Sequence, residues 1–172
     1  MKELIIFSIF ALIGIIGVFL FYDPLYSALF LIIITAVAFF GENIVSGMGY
    51  YTYRRVWPFY QNIPFFIVPF WIAFITLSNI GSAFVVMSLG LDPRTNGILT
   101  TAFLTGGACF ILDLLFIEPY LCRKKGYWMW KMKKSILTKI NHRNNLTAPI
   151  GNYIVWFLFP FLSSCIFLLS QI

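Results

Sequence analysis

Charged and metal-ligating side chains are scarce in this chain of 172 residues. Only 10% of the residues are charged, whereas a soluble domain has about 25%, and there is a single histidine. The three cysteines, Cys109, Cys122 and Cys165, are widely spaced, which suggests neither a metal site nor a disulfide framework. A nucleotide-binding glycine loop and a nucleophile elbow are also lacking. Redox chemistry and metal-assisted hydrolysis therefore have no candidate ligands, and we expect no cofactor.

Apolar residues dominate the chain instead. They make up 60% of the sequence, and the mean hydropathy is +0.89, whereas a soluble domain is about 45 to 50% apolar. A transmembrane helix needs about 20 mainly apolar residues. Segments of that length or nearly so cover residues 4–21, 24–40, 63–88, 97–120 and 151–170. The sequence predicts one integral membrane domain over residues 1–172, an all-α polytopic bundle of about five transmembrane helices.

Basic residues are distributed unevenly between the two sides of this predicted bundle. Eight of the twelve lie between Arg123 and Arg143, in a basic loop over residues 121–148 that contains no acid. With five helices, eleven basic residues face one side and Arg94 alone faces the other. The positive-inside rule makes the richer side the cytoplasm, with the N-terminus inside and the C-terminus outside. We favour membrane topology over nucleic-acid binding as the explanation of the net positive charge. We expect the protein to lie in the cell membrane of a prokaryote.

The first apolar segment and the start of the basic loop each allow an alternative. No small-residue cleavage site follows the first segment, so we interpret it as a retained helix rather than a signal peptide. Residues 126–130 (Gly-Tyr-Trp-Met-Trp), with Lys131, Lys133 and Lys134, are typical of an interfacial anchor with indoles at headgroup depth. A lid over a membrane-embedded site and an RNA contact are less favoured alternatives. His142, within the loop, is interpreted as a solvated residue.

Three carboxyl groups, those of Glu42, Asp113 and Glu118, lie within or at the end of predicted membrane helices. A charge at a helix centre costs about 2.5 to 3.5 kcal/mol on insertion scales, which makes each group a functional candidate. The predicted topology places all three at or near the cytoplasmic end. A carboxyl group kept neutral by desolvation is suited to donate a proton near neutral pH. The structural alternative for Glu42 and Glu118 is an ion pair at the interface. The candidate partners are Arg54, Arg55 and Arg123.

Aromatic residues accompany these carboxyl groups in the sequence. Tyr51 and Tyr53 follow Glu42, while Trp71 and Trp156 lie early in the third and fifth predicted helices. Aromatic faces can stabilise a developing carbocation much as they hold ligand cations. The pattern is therefore compatible with acid-initiated chemistry on a hydrocarbon.

Taken in order, these motifs resemble the carotenoid-biosynthesis membrane family. It contains the bisanhydrobacterioruberin-type and lycopene-type carotenoid hydratases, and archaeal relatives that act on geranylgeranyl lipids. The resemblance spans about residues 36 to 160. The residues that carry it are Glu42, Ser46-Gly47, Gly49-x-Tyr51-x-Tyr53, Ile63-Pro64, Pro69-x-Trp71, Asp113, Glu118-Pro119, Gly126-Tyr127-Trp128-x-Trp130 and Pro149-x-x-Asn152-x-x-x-Trp156.

The resemblance implies a cofactor-independent hydratase, a lyase that adds water to the terminal trisubstituted double bond of a long-chain isoprenoid. The substrate would be a carotenoid precursor or a geranylgeranyl ether lipid. In the leading hypothesis, Asp113 or Glu42 donates the proton, and Glu118 with Asn152 holds the water. The residues expected to line the hydrocarbon and shield the cation are Tyr51, Tyr53, Trp71, Trp130 and Trp156.

The chain departs from this family in two respects. It is shorter than the hydratases, so a full pocket would need a second copy of the chain or a partner subunit. The family pattern also sets an aspartate four residues before the acidic-Pro pair, whereas Asp113 precedes Glu118 by five. Five residues of α-helix place the two carboxyl groups about 140° apart. Both can face one pocket only if Pro119 or a bulge rewinds the turn.

Two rival functions remain open from the sequence. The first is a non-enzymatic membrane protein that binds lipid or assembles with a partner, in which the acids are structural. The second is a small proton-coupled transporter, which would have carboxylates spread across the membrane depth and broken half-helices. Lipid is an expected partner in every case, and nucleic acid is not.

Overall fold

The computed structural model of the chain describes residues 2–54, 58–131 and 148–172. Five of its helices are long and apolar enough to cross a membrane, and they are numbered here as spans 1 to 5. They cover Leu4–Phe21, Pro24–Gly47, Ile67–Ser88, Ile98–Lys124 and Ile150–Leu169. The predicted all-α membrane bundle with five spans is therefore confirmed.

Spans 2 and 4 each combine α-helix with a π-helical segment, in which hydrogen bonds join residues i and i+5. The helical elements of the five spans are as follows. Span 1 is α1 (Lys2–Phe21), and span 2 is α2 (Pro24–Ala36), the segment π1 (Val37–Gly41) and α3 (Glu42–Gly47). Span 3 is α4 (Ile67–Ser88), span 4 is α5 (Ile98–Leu112) followed by π2 (Asp113–Lys124), and span 5 is α6 (Ile150–Leu169).

A tight turn at Asp23 joins spans 1 and 2. The Asp23 carboxylate caps α2 by accepting hydrogen bonds from the backbone N–H groups of Leu25 at 2.9 Å and Tyr26 at 3.4 Å. Pro24 occupies the first helical position, where the missing N–H has no helical partner to lose. The chain therefore reverses direction with almost no loop.

Three boundaries differ from those predicted by hydropathy. Spans 2 and 4 continue past residues 40 and 120 to Gly47 and Lys124, so that their polar ends remain helical. Span 3 begins at Ile67 rather than at residue 63, because Ile63–Pro64 forms strand β3 and pairs antiparallel with β2 (Phe59–Tyr60). A short apolar strand and the first turn of a helix have the same hydropathy, so periodicity alone does not separate them.

A second pair of strands joins the ends of spans 2 and 4. Strand β1 (Tyr51–Tyr53) follows span 2, and β4 (Trp128–Trp130) follows span 4. They pair antiparallel, with Tyr51 opposite Trp130 and Tyr53 opposite Trp128. Alternate side chains of a strand point to the same face, so these four aromatic residues share one face of the pair. The β1–β4 pair is termed the aromatic ribbon.

Span 3 is the central helix of the bundle. In its most apolar stretch 56% of the residues are buried, compared with 22% for span 1 and for span 2. Span 3 packs against spans 1 and 4, and span 5 packs against span 4. Large apolar side chains such as Leu20, Leu99 and Leu115 are exposed on the outside, as expected of helices that contact lipid.

Spans 4 and 5 approach each other closely at Gly106. A Cβ atom at this position would lie 2.7 Å from the backbone oxygen of Phe157 and 3.0 Å from the Cβ atom of Phe161. These are backbone and Cβ atoms of α6, which cannot move by a change of rotamer. A side chain at residue 106 would therefore require the whole helix to shift. At Gly107, the next residue, a Cβ atom would have no such neighbour within 4 Å.

Substitution of these two glycines tests the packing of spans 4 and 5. Gly106→Ala is expected to lower the free energy of unfolding by about 1 to 3 kcal/mol, because the added methyl group overpacks the interface. Gly107→Ala is expected to be neutral or stabilising by up to about 1 kcal/mol, because alanine is the better helix former. Thermal unfolding in detergent measures both variants, and equal stabilities would contradict this packing.

Candidate functional site

Four polar residues from spans 2, 4 and 5 lie at the same end of the bundle. Glu42 lies in span 2, Asp113 and Glu118 in the π2 segment of span 4, and Asn152 in the first turn of α6. The Asn152 Nδ2 donates hydrogen bonds to Asp113 Oδ2 at 2.7 Å and to Glu118 Oε1 at 3.4 Å. The residues predicted as catalytic therefore come together within one copy of the chain.

The Glu42 carboxyl group is held by three aromatic donors. The hydroxyl groups of Tyr51 and Tyr53 both donate to Oε2, the latter at 2.8 Å. The Trp71 indole Nε1 donates to Oε1 at 2.9 Å. Each carboxyl oxygen thus has at least one partner, and the Glu42 side chain remains only partly exposed.

The Glu118 carboxyl group is held in a similar way by two indoles from strand β4. Trp128 Nε1 donates to Oε1 at 3.2 Å, and Trp130 Nε1 donates to Oε2 at 3.0 Å. Glu118 and Trp128 are buried. Each glutamate is therefore bound by two aromatic residues at alternate positions of one strand of the aromatic ribbon.

The interpretation of residues 126–130 as an interfacial anchor is wrong for the two indoles. Strand pairing turns Trp128 and Trp130 inward onto Glu118, while Met129 between them is exposed. An indole N–H taken out of water requires a hydrogen-bond acceptor, and the carboxylate supplies it. The segment therefore covers the site, as the lid alternative expected. Lys133 and Lys134 of the predicted anchor, together with His142 and residues 132–147 of the basic loop, lie outside the described residues.

The π2 segment resolves the unfavourable spacing of Asp113 and Glu118. In an α-helix residues five apart diverge by about 140°. In π2 the hydrogen bonds join residues i and i+5, so residues five apart lie close to one turn above each other. Both carboxyl groups consequently reach Asn152. The sequence analysis required a bulge, or a kink at Pro119, if Asp113 and Glu118 were to face one site. The π2 segment is such a bulge.

The three carboxyl groups have only neutral partners among the described residues. The one ion pair in that part of the chain joins Arg94 to Asp92 at 3.7 Å. The ion-pair alternative is therefore wrong for Arg54 and Arg123, and Arg55 lies outside the described residues. The donors that replace those cations are phenol, indole and amide groups.

The tyrosine hydroxyl groups that contact Glu42 remain protonated donors. Burial, followed by the nearby Glu42 carboxylate, raises the pKa of Tyr51 and of Tyr53 well above the usual value for tyrosine. The two hydroxyl groups therefore remain hydrogen-bond donors to Glu42.

A small polar chamber lies between Glu42 and Glu118. Its volume is about 30 Å³, and a water molecule needs at least about 10 to 15 Å³ together with two to four polar partners. The chamber therefore has room for a water molecule. Its polar lining comprises Glu42, Tyr51, Tyr53, Glu118, Trp128, Trp130 and Asn152.

A larger apolar cavity adjoins this chamber and is termed the lateral groove. It has a volume of about 320 Å³ and lies between spans 2 and 5, with the exposed side chains of Val45 and Val155 in its lining. Trp71 and Trp156 stack in its wall, with ring centroids 4.7 Å apart and an angle of 25° between the planes. The groove and the chamber have five lining residues in common. These are Glu42, Tyr51, Trp130, Asn152 and Trp156.

Asp113 occupies a different position from the two glutamates. It is fully buried, lines neither the groove nor the chamber, and its Oδ1 atom has no hydrogen-bond partner. Its described hydrogen bond is the one from Asn152. Asp113 therefore acts on the site through Asn152 rather than by touching the cavities.

Trp128 was not predicted as a site residue, although it binds Glu118 directly. The sequence does contain a signal for it, because Tyr-x-Tyr and Trp-x-Trp both alternate with the period of a β-strand. Each motif also follows a glutamate by nine or ten residues. The two halves lie far apart in the chain, so their pairing becomes visible only in the structure.

Comparison with known proteins gives no assignment for this arrangement. No protein-family model matches the chain, and no curated protein or solved structure matches it. The chemistry must therefore be argued from the site itself. Two glutamates face one water-sized chamber, and one of them also faces an apolar groove, which suits proton transfer to and from a hydrocarbon.

Single-residue deletions test the role of the π2 winding. Deleting Leu115, which is 70% exposed, leaves Asp113 and Glu118 four residues apart, a spacing that ordinary α-helix places on one face. We expect this variant to fold with a melting temperature close to that of the parent. Deleting Phe103, which is 58% exposed in α5, rotates one half of the span by about 100° and should prevent folding. Monodisperse yield and thermal unfolding measure both, and equal damage would contradict the role of π2.

Proposed function

We propose that this protein is a membrane isoprenoid hydratase that adds water to a terminal trisubstituted double bond. The observation that carries the proposal is the position of Glu42. Its carboxyl group lies in the wall that the apolar lateral groove shares with the water-sized chamber. A hydrocarbon end in the groove and a water molecule in the chamber would meet at this group.

The first step is proton transfer from the neutral Glu42 carboxyl group. A carboxyl group without a counter-charge in an apolar interior is favoured as the neutral acid. It gives its proton to the less substituted carbon of the double bond, whose π electrons form the new C–H bond and leave a tertiary carbocation. Asp113, the other acid expected from the sequence, lines neither cavity, so we assign this step to Glu42.

The second step is capture of the carbocation by water. The rings of Trp71 and Trp156 in the groove wall provide aromatic faces that stabilise the positive charge. The chamber water attacks the cationic carbon and passes one proton to the Glu118 carboxylate, giving a tertiary alcohol. That proton returns to Glu42 across the chamber, so alkene and water are consumed and neither glutamate changes. Asn152 orients Glu118, and Asp113 orients Asn152.

The substrate would enter the groove from the bilayer. Most of the lining surface is apolar, and the side chains of Val45 and Val155 in the lining are exposed. The resemblance of the sequence motifs to carotenoid hydratases supports a carotenoid precursor or a geranylgeranyl ether lipid as the substrate. The reaction uses no cofactor.

A lipid-binding protein without catalytic activity is the second candidate, because the same groove could hold a hydrocarbon without reacting with it. The arrangement of the acids favours the enzyme, since a binding site gains nothing from two glutamates that face one chamber. A proton-coupled transporter is less favoured, because Glu42, Asp113 and Glu118 gather at one end of the bundle.

Expression of the chain with lycopene, and separately with a geranylgeranyl ether lipid, tests the proposal. We expect a product heavier by one water, with its oxygen derived from labelled water. Glu42→Gln should lower product formation roughly 100-fold or more, because a positioned general acid contributes about 10²- to 10⁴-fold.

Matched variants separate catalysis from structure in this assay. Asp92→Asn removes an exposed carboxylate at the opposite end of the bundle and should leave product formation unchanged. Glu118→Gln should also strongly lower product formation, while Asp113→Asn should lower it less. Wild-type protein that retains the polyprenyl chain but yields no hydrated product would favour the binding protein and refute the hydratase.

We also propose that the N-terminus faces the cytoplasm and the C-terminus faces outward across the cell membrane of a prokaryote. The alternation of spans brings Lys2, Arg54, Lys125 and Lys131 to the site end, and Arg94 to the other. The positive-inside rule then assigns the site end to the cytoplasm. A proton donor and water are both available there.

Cysteine accessibility tests this orientation in a background in which the three native cysteines are replaced by alanine. Arg94→Cys should react with a membrane-impermeant maleimide in intact cells. Lys125→Cys should react only after the membrane is permeabilised. The reverse pattern would contradict the orientation, without bearing on the chemistry.

A further inference from the structure

A second apolar groove is lined by none of the three acidic residues of the candidate site. It has a volume of about 400 Å³ and lies between spans 1, 3 and 4. Its apolar lining includes Phe7, Phe10, Phe74, Leu77, Leu112 and Phe116. Glu42, Asp113 and Glu118 do not line it, and it has no lining residue in common with the lateral groove. This cavity is termed the outer groove, and the proposed hydration makes no use of it.

The outer groove is open on the side where lipid would lie. Phe10 and Phe116 are each 46% exposed, and Leu112 is 37% exposed. These side chains belong to two walls of one concave surface, spans 1 and 4, and span 3 forms the third wall. A long apolar chain could therefore lie in the groove and be contacted from spans 1, 3 and 4 at once.

Polar groups are confined to a few positions in the lining, and the only charged one is Lys125. The ammonium groups of Lys124 and Lys125 lie 5.4 and 5.6 Å from the ring centroid of Tyr120, which also lines the groove. Gly126, with φ of 63°, then turns the chain away, so that π2 ends at this point. Two cations are thus gathered around one ring at one end of an apolar cavity.

These two cations form no ion pair with the described carboxylates, which do not include that of Glu3; the ion pair among those described is that of Arg94 and Asp92. The neighbouring Arg123 is exposed and adds positive charge. Two ammonium groups near one ring repel each other, and an anion between them would relieve that repulsion. The local charge is therefore complementary to an anionic headgroup.

We infer that the outer groove binds one anionic phospholipid, with its phosphate against Lys124 and Lys125 and a hydrocarbon chain between spans 1, 3 and 4. The apolar cavity and the paired lysines match the two parts of such a molecule. A zwitterionic lipid would fill the groove but bring no net negative charge to the two lysines. The site does not rest on the proposed hydration, because the two grooves have no lining residue in common.

Lipid retention by the purified protein tests this inference. The protein is reconstituted in nanodiscs of equal phosphatidylglycerol and phosphatidylcholine, extracted in mild detergent and analysed by native mass spectrometry. We expect about one retained phosphatidylglycerol per chain and little phosphatidylcholine. The double variant Lys124→Gln/Lys125→Gln should weaken retention by roughly 30-fold, the product of an approximately fivefold contribution from each lysine near an anionic surface.

Two further variants make the outcome decisive. Arg94→Gln, which removes an exposed cation at the opposite end, should retain lipid as the parent does. Leu112→Trp fills the groove and should also prevent retention although both lysines remain, with Leu112→Phe as a milder replacement if folding fails. Equal retention of the two lipids would overturn the inference. If lipid retention depends on the lysines but not on Leu112, the lipid is held by surface charge alone. That result would also overturn the inference.

Discussion

The rest of the structure depends on one constraint, which is that three carboxyl groups are placed in an apolar interior with only neutral partners among the described residues. A polar group removed from water without a hydrogen bond costs several kcal/mol, and a charge costs more. Indole, phenol and amide donors meet this requirement for Glu42 and Glu118. A hydrogen bond from such a donor requires accurate distance and direction. Two unusual features of the bundle, the aromatic ribbon and the π2 segment, orient the donors.

The aromatic ribbon and the π-helical winding serve the same purpose. The ribbon sets four aromatic side chains on one face, two for each glutamate, through its antiparallel register. The π2 segment turns Asp113 and Glu118 toward the same amide of Asn152. Together they leave a water-sized space between the two glutamates, and they expose one of the pair to an apolar groove. The Glu42 carboxyl group thus lies between the chamber proposed for water and the groove proposed for the hydrocarbon.

Much of this arrangement could be predicted from the sequence, and the remainder could not, for identifiable reasons. Hydropathy was sufficient for five spans, and the cost of buried charge was sufficient to select Glu42, Asp113 and Glu118. The place of Trp128 in the site was missed, because a three-residue strand carries little periodic signal and its partner strand lies more than 70 residues earlier. The position of Asp113 outside both cavities was also missed, because the local helical propensity of the sequence does not predict a π-helical segment.

The distance along the chain between each acid and its donors has a consequence for biosynthesis. Glu42 is followed by Tyr51 and Tyr53 after nine and eleven residues, and Glu118 by Trp128 and Trp130 after ten and twelve. Two of the donors to each glutamate are therefore synthesised before the next span. Asp113 must wait for Asn152, 39 residues later. The site is therefore complete only when span 5 has been synthesised, because that span supplies Asn152.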